Sequence, residues 1–304
     1  MKRIVAIVVT YNRKDMLLNC IENILKQSSG SPDVLVIDNA STDGTGELIK
    51  SQYCDSARVI YQNTGHNLGG AGGFSYGLNL AANMGYDYFW IMDDDTFPED
   101  SALEGLLSAA TALNDEFGFL SSYAKWVDGS PCVMNLPAVK TDWYKSGVSK
   151  QFDNRLLMIT SASFVSMFIK ADVVKEMGLP IKEFFIWADD VEYSLRISSR
   201  YDSFFVYESQ VIHAIKTNTA ASLLEEPDKE RLKRFTYLYR NKYYIARRTS
   251  WRAWVSYWLE FNYTSFKIIF SGTTMKFRRL GAMFKGVLKG LFFYPRIEKV
   301  HKCE

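Results

Sequence analysis

Three consecutive carboxylates, Asp93-Asp94-Asp95, close the apolar run Phe89-Trp90-Ile91-Met92. Like charges this close repel one another and are costly without a counter-cation. In an extended chain Asp93 and Asp95 point to the same side, so the pair can hold a hard divalent metal whose other ligands are diphosphate oxygens. A solvated acidic loop capping the next helix is the plainer reading, and the buried strand in front of the acids argues against it. A second acidic cluster, Trp187-Ala188-Asp189-Asp190-Val191-Glu192, again follows an apolar run, Phe184-Phe185-Ile186. Near a cleft, one of its carboxylates can take the proton of an attacking hydroxyl. The same residues suit a helix N-terminus, with Asp189 or Asp190 capping and the other acids favouring the dipole. Spacing alone does not orient Asp189 against Asp190. His213 closes Val211-Ile212. A lone histidine is usually structural, but two carboxylates plus an imidazole form a ligand set that suits Mn²⁺ better than Mg²⁺. His66 reads as a loop residue and His301 as an exposed one near the end.

The segment Asn63-Thr64-Gly65-His66-Asn67-Leu68-Gly69-Gly70-Ala71-Gly72-Gly73-Phe74 is glycine-rich and follows a strand. Glycines let a backbone approach a ligand and offer N–H groups to phosphate, and a helix over 74–82 would turn its N-terminus to the anion. The segment has no Gly-Lys-Ser/Thr, and it follows the third strand, where a dinucleotide fingerprint would follow the first. A flexible turn is an equal reading of it.

Alternating elements must position these groups. Arg3–Val9, Val34–Ile37, Val59–Gln62 and Tyr88–Met92 read as strands. Between the first two, Leu17, Ile21, Ile24 and Leu25 share one helix face. Ser41-Thr42-Asp43-Gly44 is a turn and helix start. This order predicts an α/β protein with a mostly parallel, nucleotide-binding sheet flanked by helices. In such sheets ligands bind beyond the carboxyl ends of the strands, so Thr10–Arg13, Asp38-Asn39 and Asp93–Asp95 should converge on one cleft. Further on, the pattern predicts helices over 103–113, 172–177, 193–199 and 232–248, and strands over 161–169, 204–207 and 210–213.

Taken in order, Val8-Val9-Thr10-Tyr11-Asn12-Arg13, Val36-Ile37-Asp38-Asn39-Ala40-Ser41-Thr42-Asp43-Gly44-Thr45, the glycine-rich segment and the Asp triplet resemble the family 2 inverting glycosyltransferases of the A-type fold, over about residues 1–220. Within that family, 67–74, Met92-Asp93-Asp94-Asp95-Thr96 and 187–193 look like bacterial galactofuranosyltransferases. The resemblance implies a Rossmann-like mixed sheet flanked by helices. It assigns Thr10, Tyr11, Arg13, Asp38, Asn67, Gly69, Gly70, Gly73 and Asp94 to the nucleotide-sugar, and Asp93, Asp95 and His213 to Mn²⁺ or Mg²⁺, with Mn²⁺ preferred. Asp190 would be the base, and Trp187, Asp189 and Glu192 would position sugar or acceptor. The donor would be UDP-galactofuranose and the acceptor a lipid-linked or oligosaccharide glycan of a bacterial polysaccharide. Rhamnose transfer from dTDP-rhamnose is the neighbouring possibility, and a non-catalytic nucleotide-sugar or carbohydrate-binding module is the one from another class. A nucleotidyltransferase also pairs acids with a metal, but no basic G-x-G-T start follows the first strand.

Composition supports two regions. Hydrophobic residues make up 47% of the 304-residue chain and aromatic residues 15%, enough for a sizeable core and a surface that meets sugar, lipid or a partner. Residues 229–304 hold 18 Lys or Arg against the acids Glu230, Glu260, Glu298 and Glu304, a local net of +14, which leaves −12 on residues 1–228. The expected division is a catalytic domain over 1–228 and a basic, aromatic, helical region over 229–304, suited to the headgroup plane of an anionic membrane. The acidic body speaks against nucleic acid. Cys20, Cys54, Cys132 and Cys303 share no metal-site spacing and read as free thiols of a reducing cytosol. The run 4–9 is too short for a secretory core, and 251–270, broken by Arg252, Glu260, Asn262 and Lys267, is no membrane span. The expected location is therefore cytoplasmic, peripheral at the inner face of the cell membrane; oligomeric state is not legible.

Overall fold

A computed structural model describes residues 2–142 and 155–302. Four largely apolar segments, each ending on a polar residue, form the first, wholly parallel part of the sheet: β1 (Ile4–Thr10), β2 (Asp33–Asp38), β3 (Val59–Asn63) and β4 (Tyr88–Asp93). They lie in the order β3-β2-β1-β4, all parallel, with Thr10 beside Asp38 and Val9 beside Asp93. The expected convergence therefore holds: these carboxyl ends share one edge. Helices α1 (Lys14–Leu25), α2 (Thr45–Gln52) and α3 (Gly69–Asn83) connect them. Their apolar faces and the two sides of the sheet make two core layers, one around Leu17, Ile21 and Trp90, the other around Phe74, Leu78 and Phe89.

Beyond β4 the sheet becomes mixed, as the family resemblance implies, and less parallel than the strand–helix alternation alone predicts. The added elements are β5 (Thr96–Pro98), α4 (Ala102–Ala112), β6 (Phe119–Lys125), β7 (Ala138–Val139), β8 (Leu156–Ser161), β9 (Met167–Lys170), α5 (Ala171–Met177), α6 (Asp189–Ser198) and β10 (Ser203–His213). The order continues β4-β9-β6-β10-β8-β7, with β5 pairing β10 and antiparallel contacts at β4–β9, β9–β6, β10–β8, β8–β7 and β5–β10. The expected strand over 161–169 is two strands, β8 and β9. The two short strands over 204–213 are one, with an irregularity between Val206 and Gln210.

The glycine-rich segment differs most from its sequence reading. Gly69 to Gly73 do not precede the helix; they are its first turn. A Cβ on Gly73 would stand 2.6 Å from Val9, and one on Gly77 would stand 2.6 Å from Ile7. These glycines bring α3 close against β1, a packing role that periodicity cannot separate from phosphate binding.

The basic region begins where composition changes. Asp228 caps α7 (Lys229–Thr249) through the N–H groups of Glu230 and Arg231, and α8 (Trp251–Phe270) and α9 (Lys276–Leu291) follow. Gly286 and Gly290 face Tyr239 and Tyr243 at distances only a glycine permits, so α9 lies close along α7. Arg279 is buried, its guanidinium donating to the carbonyls of Leu223, Thr274 and Glu226. The chain then returns to the first domain. Leu179 N–H donates to Glu298 O at 2.8 Å, and His301 N–H donates to Asn79 Oδ1 at 2.9 Å. His301 is exposed, as are the loop residue His66 and Cys54; Cys20 and Cys132 are buried free thiols, and Cys303 lies outside the described residues. No helix among the described residues is long and apolar enough to cross a membrane.

Candidate active site

The floor of the cleft is built by β1, β4 and β10. Because β5 pairs antiparallel with β10, Thr96 stands opposite His213, and the Ala214 N–H donates to Asp95 O at 2.9 Å. That pairing brings an imidazole to an acid more than a hundred residues away. His213 Nε2 lies 3.2 Å from Asp95 Oδ1. One ligand atom each from Asp93, Asp95 and His213 fall within 4.8 Å of one another. His213 Nδ1 sits 2.8 Å from Asn135 Oδ1, and Asn135 donates to Ser163 Oγ at 2.8 Å. Asn135 thus holds the ring through Nδ1 and leaves Nε2 facing Asp95. Thr10 Oγ1 donates to Asp94 Oδ2 at 2.7 Å, and Arg13 reaches both Asp94 and Asp95, at 3.2 and 2.6 Å.

The electrostatics follow from burying these carboxylates together. Burial, with the charge of Asp95, pushes Asp93 up to about 7. Burial also lifts Asp94, to about 6, against the pull of Arg13. At Asp95 burial acts upward too, but the hydrogen bond from His213 and the Arg13 guanidinium outweigh it and hold the group below the ordinary carboxylate value. Three acids at a strand end, with one guanidinium among them, leave unbalanced negative charge at the point where the two ligand carboxylates and the imidazole nitrogen meet. A divalent cation fits that donor set.

The second acidic cluster starts α6. The backbone before it is unusual: Phe185, Trp187 and Ala188 have φ of +65, +68 and +63°. Non-glycine residues in that region cost about 1–3 kcal/mol each and persist only when neighbours hold them. The neighbour is Asn241, fully buried on α7, which shares its side-chain N–H groups among the carbonyls of Phe184, Ile186 and Trp187 at 3.1, 3.2 and 2.8 Å. Arg240 adds donations to the Glu183 and Phe184 carbonyls. From the other side, Ala71 N–H donates to Phe185 O, and a Cβ on Gly69 would collide with that oxygen. Gly69, at φ +72°, therefore has to be glycine twice over. At the start of α6, Asp189 is buried and Asp190 partly exposed. Burial drives Asp189 well up, with Asp190 and Asp93 adding to it, so the two acidic clusters feel each other. Burial raises Asp190 to about 6.

The remaining sequence-selected residues divide. Tyr11 is exposed at the mouth of the cleft, and Gly70 lies half-buried at the open start of α3. Asp38 is fully buried under it, accepting from Tyr61 Oη and from the Ser41 N–H. Asn67 Oδ1 accepts from the Gly69 N–H at 2.8 Å. Gly69 and Gly73 are buried packing contacts, as above. The Trp187 ring stands 4.9 Å from that of Phe235. Glu192 is committed to Arg196 by paired bonds of 2.9 Å, and Arg196 also holds the Met177 and Leu179 carbonyls. Asn135 and Asn241 had no place in the sequence reading. A poor helix former among the tyrosines of α7 was the one visible sign of Asn241.

A parallel half-sheet whose strand ends carry Asp93–Asp95, extended by antiparallel strands that return an imidazole to them, is the architecture of an A-type glycosyltransferase. Solved structures share the fold: GalNAc-T7 with UDP, GalNAc and Mn²⁺ (TM-score 0.60, 14% identity, 82% of this chain, and half of that one) and a 1–349 fragment of Staphylococcus aureus TarS (TM-score 0.53, 14% identity, 94% and 72%). The family model described as glycosyl transferase family 2 matches residues 5–176, and the chain belongs to that family. Among its relatives, the galactofuranosyltransferase GlfT1 of Mycolicibacterium smegmatis is 27% identical over 281 residues, covering 85% of this chain and 88% of the relative. The chain is accordingly a transferase.

Asn241→Ala strips the loop of its buried donor. Leaving carbonyls unpaired costs about 1–3 kcal/mol, so urea denaturation should show that loss, and turnover should fall with it. Asn241→Asp should be worse than Ala, because a carboxylate has no N–H to donate and repels the carbonyls. Equal stability and turnover in all three proteins would show that the loop holds itself.

Proposed function

We propose that this transferase moves galactofuranose from UDP-galactofuranose, with inversion, to a hydroxyl of a lipid-linked glycan acceptor. The observation that carries the reading is the meeting of Asp93, Asp95 and His213 beside the acidic start of α6. The likeness to GlfT1 along most of both chains supports the choice of sugar over rhamnose. Asp93, Asp95 and His213 would hold a divalent cation, Mn²⁺ suiting the imidazole better than Mg²⁺. When bound, such an ion neutralises charge building on the departing diphosphate.

The chain's own groups do the rest. Thr10 and Arg13 lock Asp94, which sets the direction of the ligand carboxylates on either side. Tyr11 and the start of α3, with Asn67 and Gly70, form the walls for the nucleotide, and the buried Asp38 braces them through the Ser41 N–H. Asp190, partly exposed where Asp189 is buried, is the carboxylate an acceptor hydroxyl can reach. It takes the proton as that oxygen attacks the anomeric carbon on the face opposite the leaving diphosphate. One displacement gives one inversion. Asp189 and Trp187 shape the sugar's surroundings, and Glu192 serves through Arg196 by fixing α6. A binding module on the same scaffold would not turn over donor, and Mn²⁺-dependent release of UDP separates the two readings.

The region 229–304 supports action at the inner membrane face. Trp251, Leu259, Tyr263, Phe266 and Phe270 are exposed along one side of α8, among Arg252 and Lys267. Replacing Leu259, Phe266 and Phe270 together by Ser should abolish co-sedimentation with phosphatidylglycerol vesicles. In the wild-type protein the electrostatic share should weaken at 1 M salt, where the Debye length is about 3 Å. Unchanged sedimentation by the triple variant would remove α8 from the membrane.

Asp95→Ala should fold and lose transfer. The wild-type protein should gain thermal stability from Mn²⁺, more at pH 8 than at pH 5. The sign follows from Asp93: its folded value, about 7, lies above that of an unfolded Asp, so stability without metal falls as pH rises towards 7 and the cation then has no proton to displace. Equal Mn²⁺ stabilisation of the Ala variant would remove Asp95 from the ligand set.

Asp190→Asn should lower single-turnover transfer by about 10²–10⁴-fold with donor affinity retained. Wild-type turnover should rise with pH up to about 6 and then flatten, since only the carboxylate accepts a proton. The Asn variant should lack that limb. A dead Asp189→Asn beside an active Asp190→Asn would move the base by one residue.

A further inference from the structure

A cavity of about 530 Å³ lies away from the acidic cleft, between α7 and α9. Its lining includes Lys229, Lys233, Arg240, Arg278, Lys285 and Lys289 against the single acid Glu230, which is already paired with Lys233. No ion pair engages Lys229, Arg278, Lys285 or Lys289 among the described residues. Cations held this close without acids repel one another, and a bound anion relieves the cost. The wall includes Gly281, whose missing Cβ leaves open space, so a ligand can lie against bare backbone there. Helix pitch puts 278, 281, 285 and 289 along one exposed edge of α9, beside the buried face that meets α7. An exposed apolar stripe, Phe277, Phe284, Leu288 and Leu291, runs beside them on the same helix.

The cavity also touches the acidic loop. Tyr237, in its lining, packs its ring 5.2 Å from that of Phe185, and Arg240 donates to the Glu183 and Phe184 carbonyls. A polyanion site, an apolar track and the base-bearing loop thus adjoin. We propose that this groove binds the phosphate or diphosphate of the lipid-linked acceptor, whose apolar chain follows the outer face of α9 while its glycan extends past Phe185 towards Asp190. The proposal rests on the lipid-linked acceptor reading above. A mobile anionic headgroup offers the same charge, but it would bind without reference to the glycan; the adjoining acidic loop favours the acceptor.

The test uses the full chain with Lys285→Glu and Lys289→Glu combined, both exposed positions, and separately Gly281→Leu, which fills the groove without changing charge. With a diphosphate-linked acceptor, KM should rise about tenfold or more in each variant. With the same glycan on a short neutral alkyl glycoside it should not move. No change with the diphosphate-linked acceptor, or an equal change with both acceptors, overturns the proposal. Loss of phosphatidylglycerol-vesicle binding with an unchanged KM assigns the groove to headgroups and overturns it too. Equilibrium binding separates this from failure of the transfer reading. With UDP saturating the nucleotide site, the wild-type protein should bind farnesyl diphosphate well above farnesol, and the double variant should lose that preference. If wild type shows no such preference, the groove is not a phosphate site, whatever reaction the enzyme catalyses.

Discussion

Mutual repulsion among buried carboxylates is the constraint on which the rest of this structure depends. Asp93, Asp94 and Asp95 leave the end of a central strand, and the acidic start of α6 is close enough for Asp93 to be felt at Asp189. Water cannot screen groups this buried, so the protein balances them with partners it must carry to the same spot. Arg13 and Thr10 hold Asp94, and His213 faces Asp95. What stays unbalanced is negative charge where Asp93, Asp95 and His213 meet, a donor set that a divalent cation fits. Perturbed carboxylates gathered in one cleft are common at functional sites.

Carrying His213 to Asp95 explains the unusual sheet. A wholly parallel sheet would have placed the next strand ends beside one another. The short strand β5 instead folds straight back from the acid triplet onto β10, and this fixes the imidazole in register. Asn135 then decides which of its nitrogens faces the acids. The same economy governs the acidic loop, whose left-handed residues are held from both sides: Gly69 admits the Phe185 carbonyl, and Asn241 takes the carbonyls around it. The basic helical region therefore supports the acidic loop as well as carrying a surface of its own. Its buried side supports the loop, and its outer side carries apolar residues and unpaired cations.

The helical region meets the acidic loop on one side and carries a basic groove on the other. Tyr237 and Arg240 lie between the two, touching the loop on one side and the groove on the other.

The sequence by itself determined the strand–helix order of the first hundred residues and the family, and it singled out the residues of the candidate site. Those signals are local: β-branched runs, acids at strand ends, and a run of motifs in order. Net charge and aromatic content also shift near Lys229, where α7 begins. Only tertiary structure decided that Gly69 and Gly73 pack, that Glu192 belongs to Arg196, and that Asn241 holds the loop. Each of those depends on what lies opposite in space: an oxygen of Phe185, a guanidinium one turn on, or carbonyls more than fifty residues earlier. A glycine that admits a phosphate and one that admits a helix look alike in one dimension, since both supply only the absence of a side chain. The antiparallel pairings beyond β4 were hidden from the alternation pattern for the same reason. Strand direction is set by the partner a strand finds, and the alternation of its own residues is the same either way.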